Sequence, residues 1–596
     1  MKVTNLNHKT AIIILIAFAF IVYANSLFNS FVWDDFLVIV NNNFVKSWNN
    51  FPLLFKRDYL NFLSGAGYAG KYNLGSGESS YRPVVTFSYF LDYSLWKLNP
   101  FGYHLTNVLL HILNVLLLYI LLNLITKDIK VALLASLFFA LHPVNVEAVS
   151  CISFREDLLA FLFMVSSFIV FIKSNLYAGV KKAVSYLSSV FLFFLALFSK
   201  EMAVMFPFVL ALYDYYFVYK GNRKEFLADF KSRYGGYVAV ILFFLWVWFF
   251  PMGNVKEMIA KYPGGSFYLN ILTISKVVAT YIRWLFVPIN IHMSIPDVGY
   301  VYSLAARSLF DLDVLFSLSL IVLCLAAAIK LRREFKVVSF SILWFFITLV
   351  PVLNIFPIGM ILAGHFLYIP SVGFCLLSAI LLIRLPSLTY LSLPAAVLNK
   401  IRTDIIIVII IFYSMFTVVG NLFWKNNIAL WLELARQHPN NALVNNNTGC
   451  EYNALGKNEK AIMFFKKALE IKPDFYLSHY NLGIAYYRLG MLNEAVSSYK
   501  KAIEHSPNFA QAYNNLGAAY RDLGNSEEAV SLYKKALEIN PSYSGACYNL
   551  ALIYVSNGQD ELAAKYYNKA RELGFSAAYS SGPSVSKSEY GDGRFN

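Results

Sequence analysis

Charge is scarce in this chain. Only 14% of its 596 residues are Asp, Glu, Lys or Arg, against roughly 25% in soluble domains. A water-soluble enzyme is thereby excluded, and so is a disordered chain, which needs high charge and few apolar groups. Cysteine is scarcer still. Cys151, Cys324, Cys375, Cys450 and Cys547 are scattered, odd in number and without a CxxC spacing, so they support neither a disulfide framework nor a thiolate metal site. There is no Walker motif, no Gly-x-Ser-x-Gly elbow and no Rossmann fingerprint set between a strand and a helix, which argues against nucleotide-driven and serine-hydrolase chemistry. The basic residues sit in short loops with no clustered face, so nucleic acid is not an expected partner.

What is abundant is apolar surface: 58% of residues are hydrophobic and 17% aromatic. This composition fits a multi-span membrane protein. Twelve apolar stretches are long enough to cross a bilayer: 11–28, 104–125, 131–149, 157–173, 183–199, 201–219, 236–251, 269–288, 311–330, 337–353, 365–384 and 403–423. The first follows Lys2 and Lys9 and lacks a small-residue cleavage site, so it reads as a retained anchor. The formal charge of +15 suits anionic lipid, but a membrane protein collects Lys and Arg in its cytoplasmic loops in any case. Lys173, Lys181 and Lys182 mark one such loop, Lys220, Arg223, Lys224, Lys231 and Arg233 a second, and Lys330, Arg332, Arg333 and Lys336 a third. The last two cannot share a side if every stretch spans. The 269–288 stretch carries Lys276 and Arg283, each costing roughly 2.5–3.5 kcal/mol at a helix centre. It is expected to lie in the interface or re-enter, leaving about eleven spans and an external C-terminus. The loop 29–100, rich in Trp, Tyr, Asn and Gly, is expected to rest on the external surface as short interfacial helices.

Beyond residue 430 the composition turns polar and a period appears. Pro439, Pro473, Pro507 and Pro541 are spaced 34 apart, and so are Gly456, Gly490, Gly524 and Gly558, Tyr452, Tyr486, Tyr520 and Tyr554, and Ala461, Ala495, Ala529 and Ala563. This is the tetratricopeptide (TPR) pattern. Small residues let paired helices approach, aromatics fill the gap and Pro ends the second helix. The fold expected is thus all-α: a polytopic helical bundle followed by four repeats over 431–573 and a flexible tail at 574–596. Asn447, Asn481, Asn515 and Asn549 form a further column. They read either as a ladder binding the backbone of an acceptor peptide, since Asn both donates and accepts, or as bonds to a neighbouring helix.

Chemistry-bearing residues gather on the external side. Trp33-Asp34-Asp35 follows the first span. Adjacent carboxylates there need water, a cation or a substrate, and one could act as general base on a hydroxyl; otherwise they cap a helix. After the third span come His142, Glu147, Arg155 and Asp157, in which Arg suits a phosphate and His and Glu suit an acceptor or cation; the alternative is a hairpin that pairs with itself. Arg82 and Lys200 lie on the same side. Two adjacent Asp residues suit Mg²⁺ or Mn²⁺, but the further oxygen ligands such an ion needs are not assignable. Metal ligands are therefore left unknown.

The motif order WDD, YRPVVTFSYFLDYSLWKLNPFGYHLTNVLLH, LHPVNVEAVSCISFREDLLA, FSKEMAVMFPFVLALYDYY and FLYIPSVG, followed by the repeats, resembles the transmembrane-and-TPR protein O-mannosyltransferases and their prokaryotic relatives in the GT-C superfamily. The resemblance covers nearly the whole chain and suggests a prokaryotic member in the cell membrane. It implies a GT-C-type domain over 1–430 and an extracytoplasmic repeat domain. The implied activity moves a mannose-like hexose from a polyprenyl-phosphate donor to a Ser or Thr hydroxyl, with no certain cofactor. Asp34, with Asp35 beside it, matches the acidic base of the first external loop. His142, Glu147, Arg155 and Asp157 match the second external motif, and Arg82 and Lys200 are implied donor-phosphate contacts. Relatives carry an acidic residue and Arg just before the LYxPS-like motif. Here Gly364-His365 stands in that place, so His365 joins the candidates. A lipid-linked oligosaccharide ligase and a non-catalytic TPR scaffold are the rival readings.

Overall fold

The computed structural model describes residues 7–55, 81–249, 262, 265–289, 291, 304–355, 361–388 and 394–575. The chain divides into two units whose boundary falls between Asn426 and Asn427. Among the described residues both units are helical, with no strand.

The helices of the first unit are α1 (His8–Tyr23), α2 (Pro83–Trp96), α3 (Pro100–Thr126), α4 (Ile129–Leu141), α5 (Val146–Ser150), α6 (Arg155–Ser174), α7 (Gly179–Leu197), α8 (Phe206–Tyr213), α9 (Arg223–Phe249), α10 (Phe267–Phe286), α11 (Leu312–Leu331), α12 (Lys336–Leu349), α13 (Ser371–Leu388) and α14 (Ala395–Phe423). Their ends are written in the sequence. Asn7 caps α1 through Thr10 N–H at 2.8 Å, Asp128 caps α4 through Lys130 N–H at 2.9 Å, and Pro83 and Pro100 open α2 and α3 where no backbone donor is needed. The expected span 131–149 is broken: α4 stops at Leu141 and the next segment turns by 52°. Pro143 confines His142 to an extended conformation (φ −67°, ψ 126°), which a helix cannot pass through.

By length and composition, eight helices among the described residues can cross a bilayer, or nine if that bent pair is one span. Contacts sort the helix ends into two poles. At one pole Arg233 of α9 bonds Asn175 after α6 at 2.8 Å, and Tyr216 meets Ser339 at the start of α12 at 3.0 Å. The three Lys/Arg-rich loops lie at this pole. At the other, Asn421 near the end of α14 donates to the Val22 carbonyl near the end of α1 at 2.8 Å and accepts from Ser150 at 2.8 Å.

α10 is one of those eight helices, and its polar anchors lie at the pole away from the basic loops. Asn270 donates to the carbonyl of Asn354 beyond α12 at 2.9 Å, Lys276 sits 3.9 Å from Asp313 in the first turn of α11, Tyr281 accepts from Ala363 N–H at 3.1 Å, and the Leu285 carbonyl receives His142 at 3.0 Å. With 20 residues, α10 is about 30 Å long. Within 29–100, the described residues form 3₁₀ turns, the π turn Phe36–Val40 and α2; residues 56–80 lie outside the described residues, as does the tail beyond 575.

The second unit opens with α15 (Asn427–Gln437) and continues as four helix pairs: α16 (Ala442–Ala454) with α17 (Asn458–Ile471), α18 (Tyr476–Arg488) with α19 (Leu492–His505), α20 (Ala510–Asp522) with α21 (Ser526–Ile539), and α22 (Ser544–Ser556) with α23 (Asp560–Glu572). The turn glycines Gly456, Gly490, Gly524 and Gly558 all have φ between 68° and 87°, a region that disfavours side chains. Inside each pair the approach is equally strict. A Cβ on Gly483 would lie 2.6 Å from the Tyr499 ring, and Tyr499 is fully buried.

Candidate active site

The charged candidates converge at the pole opposite the basic loops. Lys200 lies in the extended link after α7. Its Nζ is 2.6 Å from Asp157 Oδ2 and 3.4 Å from Glu156 Oε1, and it stands over the Phe366 ring at 5.6 Å. Arg82, just before α2, reaches Glu156 Oε1 through Nη1 at 2.8 Å and Glu201 Oε1 through Nη2 at 2.8 Å. Burial works against the Arg82 charge, but Glu156 and Glu201 overcome it and hold its pKa above the ordinary value. Glu156, in the first turn of α6, therefore joins both cations. Neither it nor Glu201 was singled out from the sequence, although both stand beside residues that were.

Trp33 adopts φ 49°, a left-handed conformation that costs a bulky residue on the order of 1–3 kcal/mol. That turn and the π turn behind it separate the two adjacent acids. Asp35 is fully buried; its Oδ2 accepts from Val32 N–H at 3.0 Å and its Oδ1 from Ser153 N–H at 2.8 Å. Burial raises its pKa to about 6, against the opposing pull of those N–H groups and of the Arg155 charge. Asp34 retains 7% of its surface, and its backbone carbonyl accepts from Leu37 and Val38. Asp35 thus pins the turn to residue 153, and Asp34 is the more accessible of the two.

Glu147, in α5, accepts from the His365 backbone N–H at 2.9 Å, and the same oxygen lies 3.5 Å from His365 Nδ1. The His365 ring stacks on Phe154 at 4.0 Å. A Cβ on Gly364 would meet Glu147 Oε2 at 2.7 Å, so the glycine is what admits the carboxylate. His365 and Asp157 are also within electrostatic range of one another.

Two candidates stand apart. His142 accepts from Val144 N–H at 3.3 Å on Nδ1 and donates to the Leu285 carbonyl at 3.0 Å from Nε2, so both nitrogens are committed to chain geometry. Arg155 is fully buried and donates to Asn107 at 2.7 Å, Ser88 at 3.2 Å and the Tyr103 carbonyl at 3.1 Å, with Asp92 at 2.6 Å. It holds α6 against α2 and α3. Asp92 carried no motif that marked it as its partner.

In the second unit Asn481 donates to Asn446 at 3.1 Å, Asn515 to Tyr480 at 3.0 Å and Asn549 to Asn514 at 2.9 Å. Each of these three is buried and ties its repeat to the one before; Asn447 is half-buried and accepts from Asn446 at 3.1 Å. Among the described residues no group of three or more His, Cys, Asp or Glu is arranged to hold a metal ion.

These features define a polytopic all-α membrane protein carrying a TPR solenoid. Models of the tetratricopeptide repeat match residues 449–490, 485–524, 510–543 and 532–565. The chain is 28% identical over 478 residues to the protein O-mannosyl-transferase F38B6.6 of Caenorhabditis elegans, covering 78% of this chain and 63% of that one. It is 24% identical to TMTC3 of Mus musculus (80% and 53% covered) and 26% identical to TMTC1 of Homo sapiens (76% and 54% covered), both also protein O-mannosyl-transferases. The chain is similar to these transmembrane-and-TPR proteins and spans between about half and under two thirds of their length.

Proposed function

We propose that the protein is a glycosyltransferase that moves a mannose-like hexose from a polyprenyl-phosphate donor to a Ser or Thr hydroxyl of a polypeptide on the extracytoplasmic face. One observation carries the reading. Asp35 is bonded to residue 153, while Lys200 and Arg82 are bonded to residues 157 and 156. The acid-bearing turn is therefore held by the 3₁₀ turn Ile152–Phe154 that leads into α6, and the two cations by the first turn of α6 itself, at the pole away from the basic loops. An acid beside cations suits a hydroxyl acceptor at one end and a phosphate leaving group at the other.

In the reaction Asp34 takes the proton as the acceptor oxygen bonds the anomeric carbon. The bond from that carbon to the phosphate oxygen breaks, and its electron pair leaves with the polyprenyl phosphate. A single displacement inverts the centre. Lys200 and Arg82 receive the phosphate by exchanging carboxylate partners for it, with His365 on the same side, and nearby carboxylates stabilise the cationic sugar electrostatically. An apolar groove of about 380 Å³ lined by Met205, Phe208, Leu212, Tyr215, Phe226 and Ile347 starts four residues beyond Glu201, which favours a donor whose carrier is a hydrocarbon chain. The repeats fit an acceptor polypeptide, whose capture raises its effective concentration.

The test is transfer from labelled polyprenyl-phosphate mannose to acceptor peptides by the purified full chain. Asp34→Asn should lower transfer by about 10²-fold or more, the usual worth of a general base, with the fold kept. Undiminished transfer in that variant overturns the assignment, and transfer of an intact oligosaccharide replaces it with a ligase.

A further inference from the structure

Helix α2 is inside out by the standards of water. Phe87, Leu91 and Leu95 recur every four residues and share one face. That face is exposed, Leu95 by 74%. Val85, Tyr89 and Asp92 lie on the opposite face, and all three are buried. The polar bonds of the helix point inward with them. Tyr89 donates to the Ile152 carbonyl at 3.2 Å. Asp92 pairs with Arg155 at 2.6 Å and accepts from Thr106 at 2.8 Å.

The apolar face is wider than the helix. Trp48, in the 3₁₀ turn Trp48–Phe55, is 45% exposed. Its ring lies 6.2 Å from that of Phe87, and its indole N–H donates to Ser94 at 2.7 Å. Phe51 connects that ring to Phe55, which is exposed, as is Leu98 just after α2. Water-facing surfaces rarely gather so continuous an apolar patch.

The packing around α2 says what covers it. Only Lys97, Leu98 and Asn99 separate α2 from α3, which is long and apolar enough to cross a bilayer. The link turns sharply. Lys97 adopts φ 52°, and its carbonyl accepts from the Tyr103 hydroxyl at 2.8 Å. Trp96 folds so close to α3 that a Cβ on Gly102 would fall 2.0 Å from its ring. One end of α2 is thus fixed at the mouth of a span. With 14 residues it is about 21 Å long, too short for a hydrocarbon core of about 30 Å. The Lys97 ammonium, over the Tyr93 ring at 5.1 Å, ends the stripe with a cation suited to lipid phosphate.

We propose that α2 and the Trp48–Phe55 turn are seated in the lipid leaflet at the pole away from the basic loops. Phe87, Leu91 and Leu95 lie among acyl chains, with Trp48 and Lys97 at headgroup level. Arg82 directly precedes α2 and reaches Glu156 and Glu201 at 2.8 Å, so the bilayer, acting through α2, sets the height of that cation. The seat stands on exposure and packing alone. That it brings Arg82 level with the phosphate of a lipid-borne donor rests on the transferase reading.

Nitroxide labels test the seat on the full chain in phosphatidylcholine nanodiscs. The background is Cys324→Ser, because the other four cysteines are buried. Leu91→Cys and Leu95→Cys place the label on the stripe, and Leu455→Cys, an exposed leucine of the repeats, is the water-facing reference. Oxygen concentrates in hydrocarbon and a nickel chelate in water. Labels at 91 and 95 should collide severalfold more with oxygen than with the chelate, and the label at 455 the reverse. The pattern of 455 at the stripe overturns the proposal, and so does a label screened from both reagents, which means a covering protein or a second copy. The unmodified chain gives an independent reading. An apolar carbene reagent dissolved in the bilayer should tag the 83–98 peptide as heavily as the 312–331 peptide, and tagging only at the level of the repeats overturns the seat. Lipid contact in a preparation that transfers no sugar upholds the seat while the transferase reading fails.

Discussion

The Asp157–Lys200 pair offers a measurement that separates architecture from chemistry. Both side chains are buried, at 0% and 2% exposure, with 2.6 Å between charged atoms. Removing one partner of such a pair costs about 3–5 kcal/mol because the other charge is left without compensation, whereas replacing both by apolar groups of similar volume is often neutral. Lys200→Met should fall at the upper end of that range, since Asp157 Oδ1 already has no protein partner. Asp157→Asn should fall at the lower end, since Lys200 keeps Glu156 at 3.4 Å. Asp157→Leu combined with Lys200→Met should return to within about 1 kcal/mol of the parent, a coupling of several kcal/mol. Stability is read from denaturation in detergent micelles, and transfer from labelled polyprenyl-phosphate mannose on the same samples. Lys200 as a phosphate contact requires transfer to stay low in the stable double variant. Parental transfer there refutes the contact, and a double variant as unstable as the sum of the singles refutes the ion-pair reasoning.

Asp35 predicts a pH dependence of stability. Its pKa is raised from 3.8 to about 6 by burial, so its contribution is fully present below pH 4 and is lost as pH rises through 6. Asp35→Asn should flatten that stretch of the stability–pH curve, by up to about 3 kcal/mol at 1.36 kcal/mol per pKa unit; a curve unchanged between pH 4 and 7 contradicts it. Gly364→Ala should push Glu147 off the His365 N–H and lower transfer with little loss of secondary structure, and parental kcat and KM together would show that this contact has no part in the reaction. Gly483→Ala should loosen the second repeat, because the added methyl meets a buried aromatic ring; circular dichroism of the melting chain reads it, and an unshifted transition rejects the close-approach account.

Much of the architecture was legible. Hydrocarbon thickness dictates span length, so apolar runs announce membrane helices. A repeat that must stack on a copy of itself cannot hide its period, hence the 34-residue columns. The break at Pro143 was also visible in principle, since proline constrains its predecessor, but a hydropathy average over 131–149 conceals it.

The site was legible only as a set of residue types. Sequence spacing shows neighbours along one helix, whereas the ion pairs here join residues far apart: Arg82 to Glu201, Asp157 to Lys200, Glu147 to His365. Chain composition and order by themselves determined a membrane bundle, its basic loops and a four-repeat solenoid, because burial and periodicity are local. Tertiary structure alone decided that Arg155 and His142 brace the scaffold while Glu156 joins two cations. A charge's role depends on which partners and how much water reach it, and both are set by helices brought together from opposite parts of the chain.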